Sequence, residues 1–296
     1  MAESPKIVAE VGCNHRGEMD TARELIRVAA KFCKVDVVKF QKRRPSELLT
    51  LDEFNAPHPD IRNAYGTSYG MHREFLEFDI DQHSQLQSWC RDFDVAYSCS
   101  VWDVTSASEI TRLNPALIKI PSACNLHWEM LGQLCEHYYG EMHLSLGMTT
   151  HAEEDQIVRF FESRGRAGDL VIYSCTSGYP VAFEDICLGE ITRIRKKFDG
   201  RIKGIGFSGH HLGIAADVAA LALGAEWVER HFTLDRTWKG TDHAASLEPD
   251  GMRRLVRDLR SVSLALRNKD SEILEVERAQ RDKLKFTRGQ SWSDRG

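Results

Sequence analysis

Residues 204–247 read GIGFSGHHLGIAADVAALALGAEWVERHFTLDRTWKGTDHAASL. Two β-type runs, 204–210 and 226–231, each end on a histidine, and an Ala/Leu-rich helical segment lies between them. Strand, helix and strand in that order predict a parallel pair joined by a right-handed crossover. Both runs then point their C-terminal ends the same way. On a period of two, Ser208 and His210 share a face of the first run, and Glu229 and His231 share a face of the second. Two imidazoles thus reach one rim with a hydroxyl and a carboxylate beside them. Neutral imidazole is a common ligand for divalent transition metals, so His210 and His231 are the candidate metal ligands. A single strand-end histidine is more often just a satisfied polar residue; matched positions on neighbouring strands favour the ligand reading.

The same alternation extends outward from this stretch. Segments 6–12, 35–41, 94–100, 117–122, 141–147 and 170–176 read as further strands, with helical patterns at 81–93, 127–138, 151–164 and 184–198 and a short one after the third strand. In the first helix Thr21 and Glu24 are spaced as a capping box, and Leu25, Val28, Ala29 and Phe32 form the expected buried stripe. Thr150 and Glu153 form a second box. The last barrel helix starts at Pro249 and carries Met252, Leu255, Leu259, Val262 and Leu266 at helical spacing. Eight β/α units in about 265 residues predict an α/β fold of the (β/α)8 TIM-barrel type. No Gly-x-Gly-x-x-Gly follows the first strand, which argues against an open doubly wound sheet. Residues 42–80 form a long insertion after the second strand, too long for a plain connector. Its Tyr65, Tyr69, His72 and Arg73 either line a lid or pack on the barrel. Residues 267–296 read as a short helix and a charged tail, with 278–288 a solvated face, so residues 1–296 are expected to form one domain.

Composition narrows the function classes. A formal net charge of −5 gives no reason to expect nucleic acid or an anionic membrane surface. The eight cysteines include no Cys-x-x-Cys pair and fall mostly in apolar patterns, with Cys124 and Cys175 read as core thiols. That usage suits a reducing compartment. The start, MAESPKIVAEVG, lacks a basic residue followed by a long apolar run, and no stretch approaches a membrane span. A cytoplasmic enzyme is the expectation.

A barrel of this kind carries its active site at the C-terminal ends of its strands. Those ends supply Glu10, Lys39, Gln41, Ser100, Lys119, Ser122, Ser145, Ser177, Tyr179 and Ser208, with Asp242 in the loop after the eighth. Two lysines and a ring of hydroxyls make a cradle for a small polyanion bearing carboxylate and phosphate. A metal beside it can polarise a carbonyl or activate water.

The motifs AEVGCNHRG, VVKFQ, YSCSVWD, LIKIPS, LSLGMTT, CTSGYPVAFED, GFSGHHLG, ERHFTLD and GTDHAASLEP fall in order at these strand ends. In this they resemble the N-acetylneuraminate (sialic acid) synthase family over about residues 6–265. The resemblance implies condensation of phosphoenolpyruvate with an aldehyde sugar of the mannosamine type, with a divalent metal (Mn2+ or Mg2+), giving a nonulosonic acid and phosphate. It further implies that Lys39, Lys119, Ser100, Ser122, Ser145, Ser177 and Ser208 hold phosphoenolpyruvate, that His210 and His231 hold the metal, and that Glu10, Gln41, Tyr179 and Asp242 face the sugar. Either Glu10 or Asp242 manages protons, and the sequence does not choose between them.

Three positions depart from the family pattern. Cys124 stands where an acid is usual, Gly209 where aspartate is usual, and His211 where threonine is usual. Family members commonly carry a C-terminal antifreeze-like domain that reaches into a partner's site, and no such segment is read here; a homodimer through barrel helices is still expected. The Cys124 departure predicts an acceptor other than N-acetylmannosamine, such as a phosphorylated or deoxygenated sugar. Two other functions compete. A Schiff-base aldolase would use a buried lysine but has no use for two histidines. A non-catalytic barrel subunit would be expected to have lost the lysines and histidines.

Overall fold

The computed structural model describes residues 4–286. Eight strands, β1 (Lys6–Gly12), β2 (Val37–Lys42), β3 (Ala96–Val101), β4 (Leu117–Ile120), β5 (Glu141–Ser145), β6 (Leu170–Cys175), β7 (Gly204–Gly209) and β8 (Trp227–His231), close into one barrel. Every neighbouring pair is parallel, and β1 pairs with both β2 and β8. The (β/α)8 expectation is met.

Each strand splits its residues between two interiors, as period two requires. Ile7, Ala9, Val38, Phe40, Cys99, Ile118, Leu144, Ile172, Ile205 and Val228 belong to the main apolar core, together with buried faces of the surrounding helices. The alternate residues fill the barrel itself. At its base Val8, Val37 and Leu117 form a small apolar plug, against which Ala96 and Trp227 pack. Above the plug the interior turns polar: His143, Tyr173, Lys119, Glu229, Lys39 and Glu10 are all buried. Tyr173 fits because β7 has Gly206 opposite; a Cβ there would stand 2.5 Å from the tyrosine ring.

Local expectations met different outcomes. The Thr150–Glu153 capping box is formed, and Pro249 opens the helix Pro249–Ala265. The Thr21–Glu24 box is not. Helix Met19–Arg27 starts a turn earlier, the Thr21 hydroxyl donates to Glu18, and Glu24 is held by Arg27. The chain then passes into a π-helical segment, Val28–Cys33. Wider i→i+5 turns rotate the register, so Phe32 leaves the expected buried stripe and is 49% exposed. The insertion is not a structureless loop: it contains helices Pro45–Leu48, Leu51–Asn55 and Tyr69–Phe75. Thr50 and Ser68 cap the second and third through their side chains. Helix Glu275–Leu284 accounts for part of the charged tail, and residues 287–296 lie outside the described range. No helix among the described residues is long and apolar enough to cross a membrane.

Candidate active site

Two adjoining cavities open at the C-terminal ends of the strands. The larger, ≈320 Å3, is lined by Glu10, Lys39, Ser100, Lys119, Ser122, Ser145, Ser177, Ser208 and His210. The smaller, ≈170 Å3, is lined by Asp242 together with Cys13, Arg43, Tyr65, His72 and Arg73. Gln41, Trp102, Tyr179 and His231 line both. Every candidate site residue therefore borders one continuous space. The insertion contributes Tyr65, His72 and Arg73 to it, which favours the lid reading of that segment.

Backbone geometry lets the hydroxyls converge. A Cβ on Gly147 would lie 2.3 Å from Ser177 Oγ and 2.6 Å from Ser122 Oγ, so only glycine leaves room for both serines. Gly12 has φ +54°, and a Cβ there would stand 3.0 Å from Gln41 Nε2 and 3.3 Å from Glu10 Oε1.

The lysine cradle is charge-balanced. Lys39 Nζ lies 2.5 Å from Glu10 Oε2 and 3.7 Å from Glu229 Oε1, while Lys119 Nζ lies 3.1 Å from Glu229 Oε2. Lys39 also donates to Ser100 Oγ at 2.6 Å, and Ser208 Oγ donates to Glu229 Oε1 at 3.2 Å. Two carboxylates sit among the lysines of the cradle, because isolated ammonium groups at this depth would be too costly. Burial works to raise the Glu229 carboxyl, but Lys119 and Lys39 outweigh it and hold the group below its ordinary range. Burial lowers Lys119 despite the Glu229 charge; Lys39 is raised, because Glu10 and Glu229 together overcome its burial. Lys119 also lies 3.5 Å from the centre of the Tyr173 ring, a cation–π contact under the cavity floor.

The histidine rings stand 5.4 Å apart between centroids. His210 Nδ1 lies 3.1 Å from the Thr176 carbonyl oxygen and donates to it, which leaves Nε2 as a free donor atom. Burial first, then the neighbouring His231, pushes the His210 imidazolium down to about 4, so the ring is neutral near pH 7. His231 Nδ1 is buried with no hydrogen-bond partner and lies 3.9 Å from Asp242 Oδ2. Burial raises Asp242, yet His231 and Arg43 outweigh it and keep the group a carboxylate. The neutral His210 imidazole, the orphaned His231 nitrogen and the ionised Asp242 carboxylate together fit a divalent cation with a mixed nitrogen and oxygen donor set. His151, Glu154 and Glu190 form another acid–imidazole group on the outer helices. Glu154 there is already held by Arg193 and Lys197, so its charge is spent structurally.

His211 does not face the cavity. It is fully buried behind His210, where its Nε2 lies 3.2 Å from Asp217 Oδ2, and Arg230 binds Asp217 and the His211 carbonyl. Cys175 lines the larger cavity and is not a core thiol. Arg43 and Trp102 escaped the candidate list, whereas Glu229 had been placed at the rim without a role. Arg43 follows VVKFQK in a basic pair, and Trp102 lies just past the third strand end in YSCSVWD, so both had a positional signal. Their guanidinium and indole stack 4.7 Å apart, and Arg43 is anchored by Glu77 at 3.2 Å.

The chain matches the NeuB family over residues 25–271. It belongs to that family. The mouse N-acetylneuraminate-9-phosphate synthase is 36% identical over 94% of this chain and 76% of its own length. The N,N'-diacetyllegionaminic acid synthase of Campylobacter jejuni is 29% identical over 88% of this chain and 77% of its own. The solved N-acetylneuraminic acid synthetase of Leptospira borgpetersenii superposes with a TM-score of 0.81 at 23% identity, covering 97% of this chain and 94% of that one, and so bears on the fold. This NeuB-family barrel is an enzyme of the sialic-acid-synthase type, a transferase that builds nonulosonic acids.

Proposed function

We propose that the chain condenses phosphoenolpyruvate with an aldehyde sugar, and that the two adjoining cavities hold the two substrates. The division of the site carries this reading: lysines and five serines on one side, Asp242, Arg43 and the insertion residues on the other, with Gln41, Trp102, Tyr179 and His231 shared. Lys39, Lys119 and the hydroxyls of Ser100, Ser122, Ser145, Ser177 and Ser208 hold the carboxylate and phosphate of phosphoenolpyruvate. Incoming anion competes with Glu10 and Glu229 for the two ammonium groups, so binding rearranges an existing ion-pair network. The methylene carbon then attacks the aldehyde carbon. Water adds to the carbon left electron-poor, and the tetrahedral product expels phosphate as the keto group forms.

His210 and His231 would hold the divalent metal with Asp242 beside them, and bound there it supplies Lewis acidity for the aldehyde oxygen. The mixed donor set favours Mn2+ over Mg2+, which prefers oxygen alone. Glu10 is engaged by Lys39 and by Gln41 Nε2 at 2.8 Å. Asp242 is freer and borders the acceptor side, so the Asp242 carboxylate is assigned to take a proton from the attacking water and pass it to the new hydroxyl, and Glu10 the orientation of Lys39. Phosphate release from phosphoenolpyruvate, Mn2+ and a panel of mannosamine-type sugars tests this reading. Release with no sugar in the panel, or release persisting after complete metal removal, would overturn it. A cytoplasmic homodimer of single-domain chains remains part of the same proposal.

The acceptor is proposed to be phosphorylated. The mouse, human and Drosophila relatives are all named as 9-phosphate synthases. Arg73 borders the acceptor cavity, bonded only to the Tyr69 hydroxyl, and Lys239 lies 4.6 Å over the Tyr65 ring. Neither makes an ion pair with a carboxylate among the described residues. Charge-assisted hydrogen bonds contribute about 1.5–3 kcal/mol each, so Arg73→Ala is expected to raise KM for a 6-phosphorylated acceptor roughly 10- to 150-fold. KM for phosphoenolpyruvate should stay within about twofold; an equal rise in both would place Arg73 outside the acceptor site.

A further inference from the structure

His210 and His231 each have a fully buried polar neighbour in sequence. Arg230 precedes His231 on β8 and, on a period of two, points away from the cavity that His231 lines. His211 follows His210 just past the end of β7. One carboxylate, Asp217 of helix Ala215–Ala222, joins the two. Arg230 Nη1 donates to Asp217 Oδ2 at 2.5 Å and to the Gly213 carbonyl oxygen at 2.8 Å. Those bonds use both of its hydrogens. His211 Nε2, 3.2 Å from Asp217 Oδ2, therefore donates to that carboxylate. Arg230 Nη2 donates to the His211 carbonyl oxygen. Further along the same turn, Val181 N–H donates to the His210 carbonyl oxygen at 3.1 Å.

Two departures from the family pattern belong to this one arrangement. A Cβ on Gly209 would stand 2.9 Å from both Cε1 and Nδ1 of the His211 ring, and 2.9 Å from Phe207 Cε1. The ring at 211 thus requires that position 209 carry no side chain. Stability explains the cluster poorly. Asp217 Oδ1, Arg230 Nε and His211 Nδ1 are all buried without a hydrogen-bond partner among the described residues. Buried ion pairs often add little to stability, and each unmatched polar atom is a further cost. What the bonds do supply is a fixed relation between the ends of two strands.

We propose that His211, Asp217 and Arg230 are positioning residues for the two histidines of the metal site. They tie the residue after His210 to the residue before His231, and so set the 5.4 Å between the imidazole centroids. This rests on the metal reading above and adds the residues that hold its geometry. Partners one layer outside a metal's ligands typically change its affinity about 10- to 100-fold.

The test titrates the full chain with Mn2+, read by the free-ion paramagnetic signal, with His210→Ala as the control for ligand loss. His211→Leu keeps the Arg230–Asp217 pair and the bulk of the ring but removes its bond to the carboxylate. Mn2+ affinity should fall about 10- to 100-fold, while KM for phosphoenolpyruvate at saturating Mn2+ stays within about twofold. His211→Gln restores an N–H donor and should recover most of the loss, which a merely space-filling role would not require. Gly209→Ala should cost more affinity beside His211 than beside His211→Thr. Phe207 is present in both backgrounds, so the difference reads the ring. Wild-type Mn2+ affinity in His211→Leu, or a glutamine variant no better than leucine, overturns the clamp and leaves the metal reading standing if His210→Ala has lost the ion. Should His211→Leu fail to fold, Gly209→Ala decides, and equal losses in the two backgrounds overturn the proposal. A wild type that takes up no Mn2+ removes both the clamp and the metal reading.

Discussion

Replacing His231 with alanine is expected to lower kcat/KM by at least about 10³, the equivalent of ~4 kcal/mol of transition-state stabilisation. His210→Ala should do the same. Both rings line the larger cavity, His231 also borders the smaller one, and Thr176 orients the His210 ring. Neither ring is a large part of the apolar core, so the melting temperature should move by only a few degrees. Mn2+ binding, followed by the loss of its free-ion paramagnetic signal on titration, should weaken in both variants. Chelation of the wild type should reproduce the kinetic loss, with Mn2+ restoring activity. A variant that keeps turnover but no longer binds Mn2+ would remove the metal from the reaction. One that binds Mn2+ normally would move the ligands elsewhere.

Glu229→Gln is expected to be the most destabilising conservative change in the site. It leaves Lys119, which is 2% exposed, without its carboxylate and withdraws a second negative charge from Lys39. Breaking one partner out of a buried pair costs about 3–5 kcal/mol. At about 2–4 °C per kcal/mol for a chain somewhat shorter than this one, the melting temperature should fall by roughly 6–20 °C. Acid sensitivity should change in a defined direction. The folded Glu229 carboxyl lies below its ordinary 4.5, so it contributes stability above that pH, lost as pH falls through the lowered folded value. Chemical denaturation at stepped pH should therefore give a shallower acid limb in Glu229→Gln. The paired change Lys119→Met with Glu229→Leu should recover much of the stability but no activity. That outcome separates the cost of an unpaired charge from the loss of phosphoenolpyruvate contacts. Unchanged stability in the single variant would mean that the pairs rearrange freely with water.

Much of the barrel was legible in the chain itself, because every strand must bury two faces and every helix one. The outward residues of β1 to β8 alternate with inward polar ones, and Lys39, Lys119, Ser208 and His231 sit in those alternations where a reader can count them. Helix starts were less secure. The Thr150–Glu153 box formed and the Thr21–Glu24 spacing did not, since Glu18 and Arg27 offered nearer partners and a π-helical segment shifted Phe32 outward. A capping pattern is a local preference of about 1 kcal/mol, which neighbouring side chains can outweigh.

Sequence alone thus determined the barrel and the rim to which the candidate residues run, since both follow from period, order and spacing along one strand at a time, and the motifs at that rim carried the resemblance that named the chemistry. Tertiary structure decided how the charges are shared and where the space lies. Lys119 meets Glu229 across 110 residues, and Arg43 and Trp102 meet from loops that have no periodicity to read. Barrel closure brought those groups into one low-dielectric interior, where an unpaired ammonium is costly and a neutral thiol at Cys124 can hold a tryptophan in place. Such pairings depend on distances between distant segments, and only the closed fold sets them.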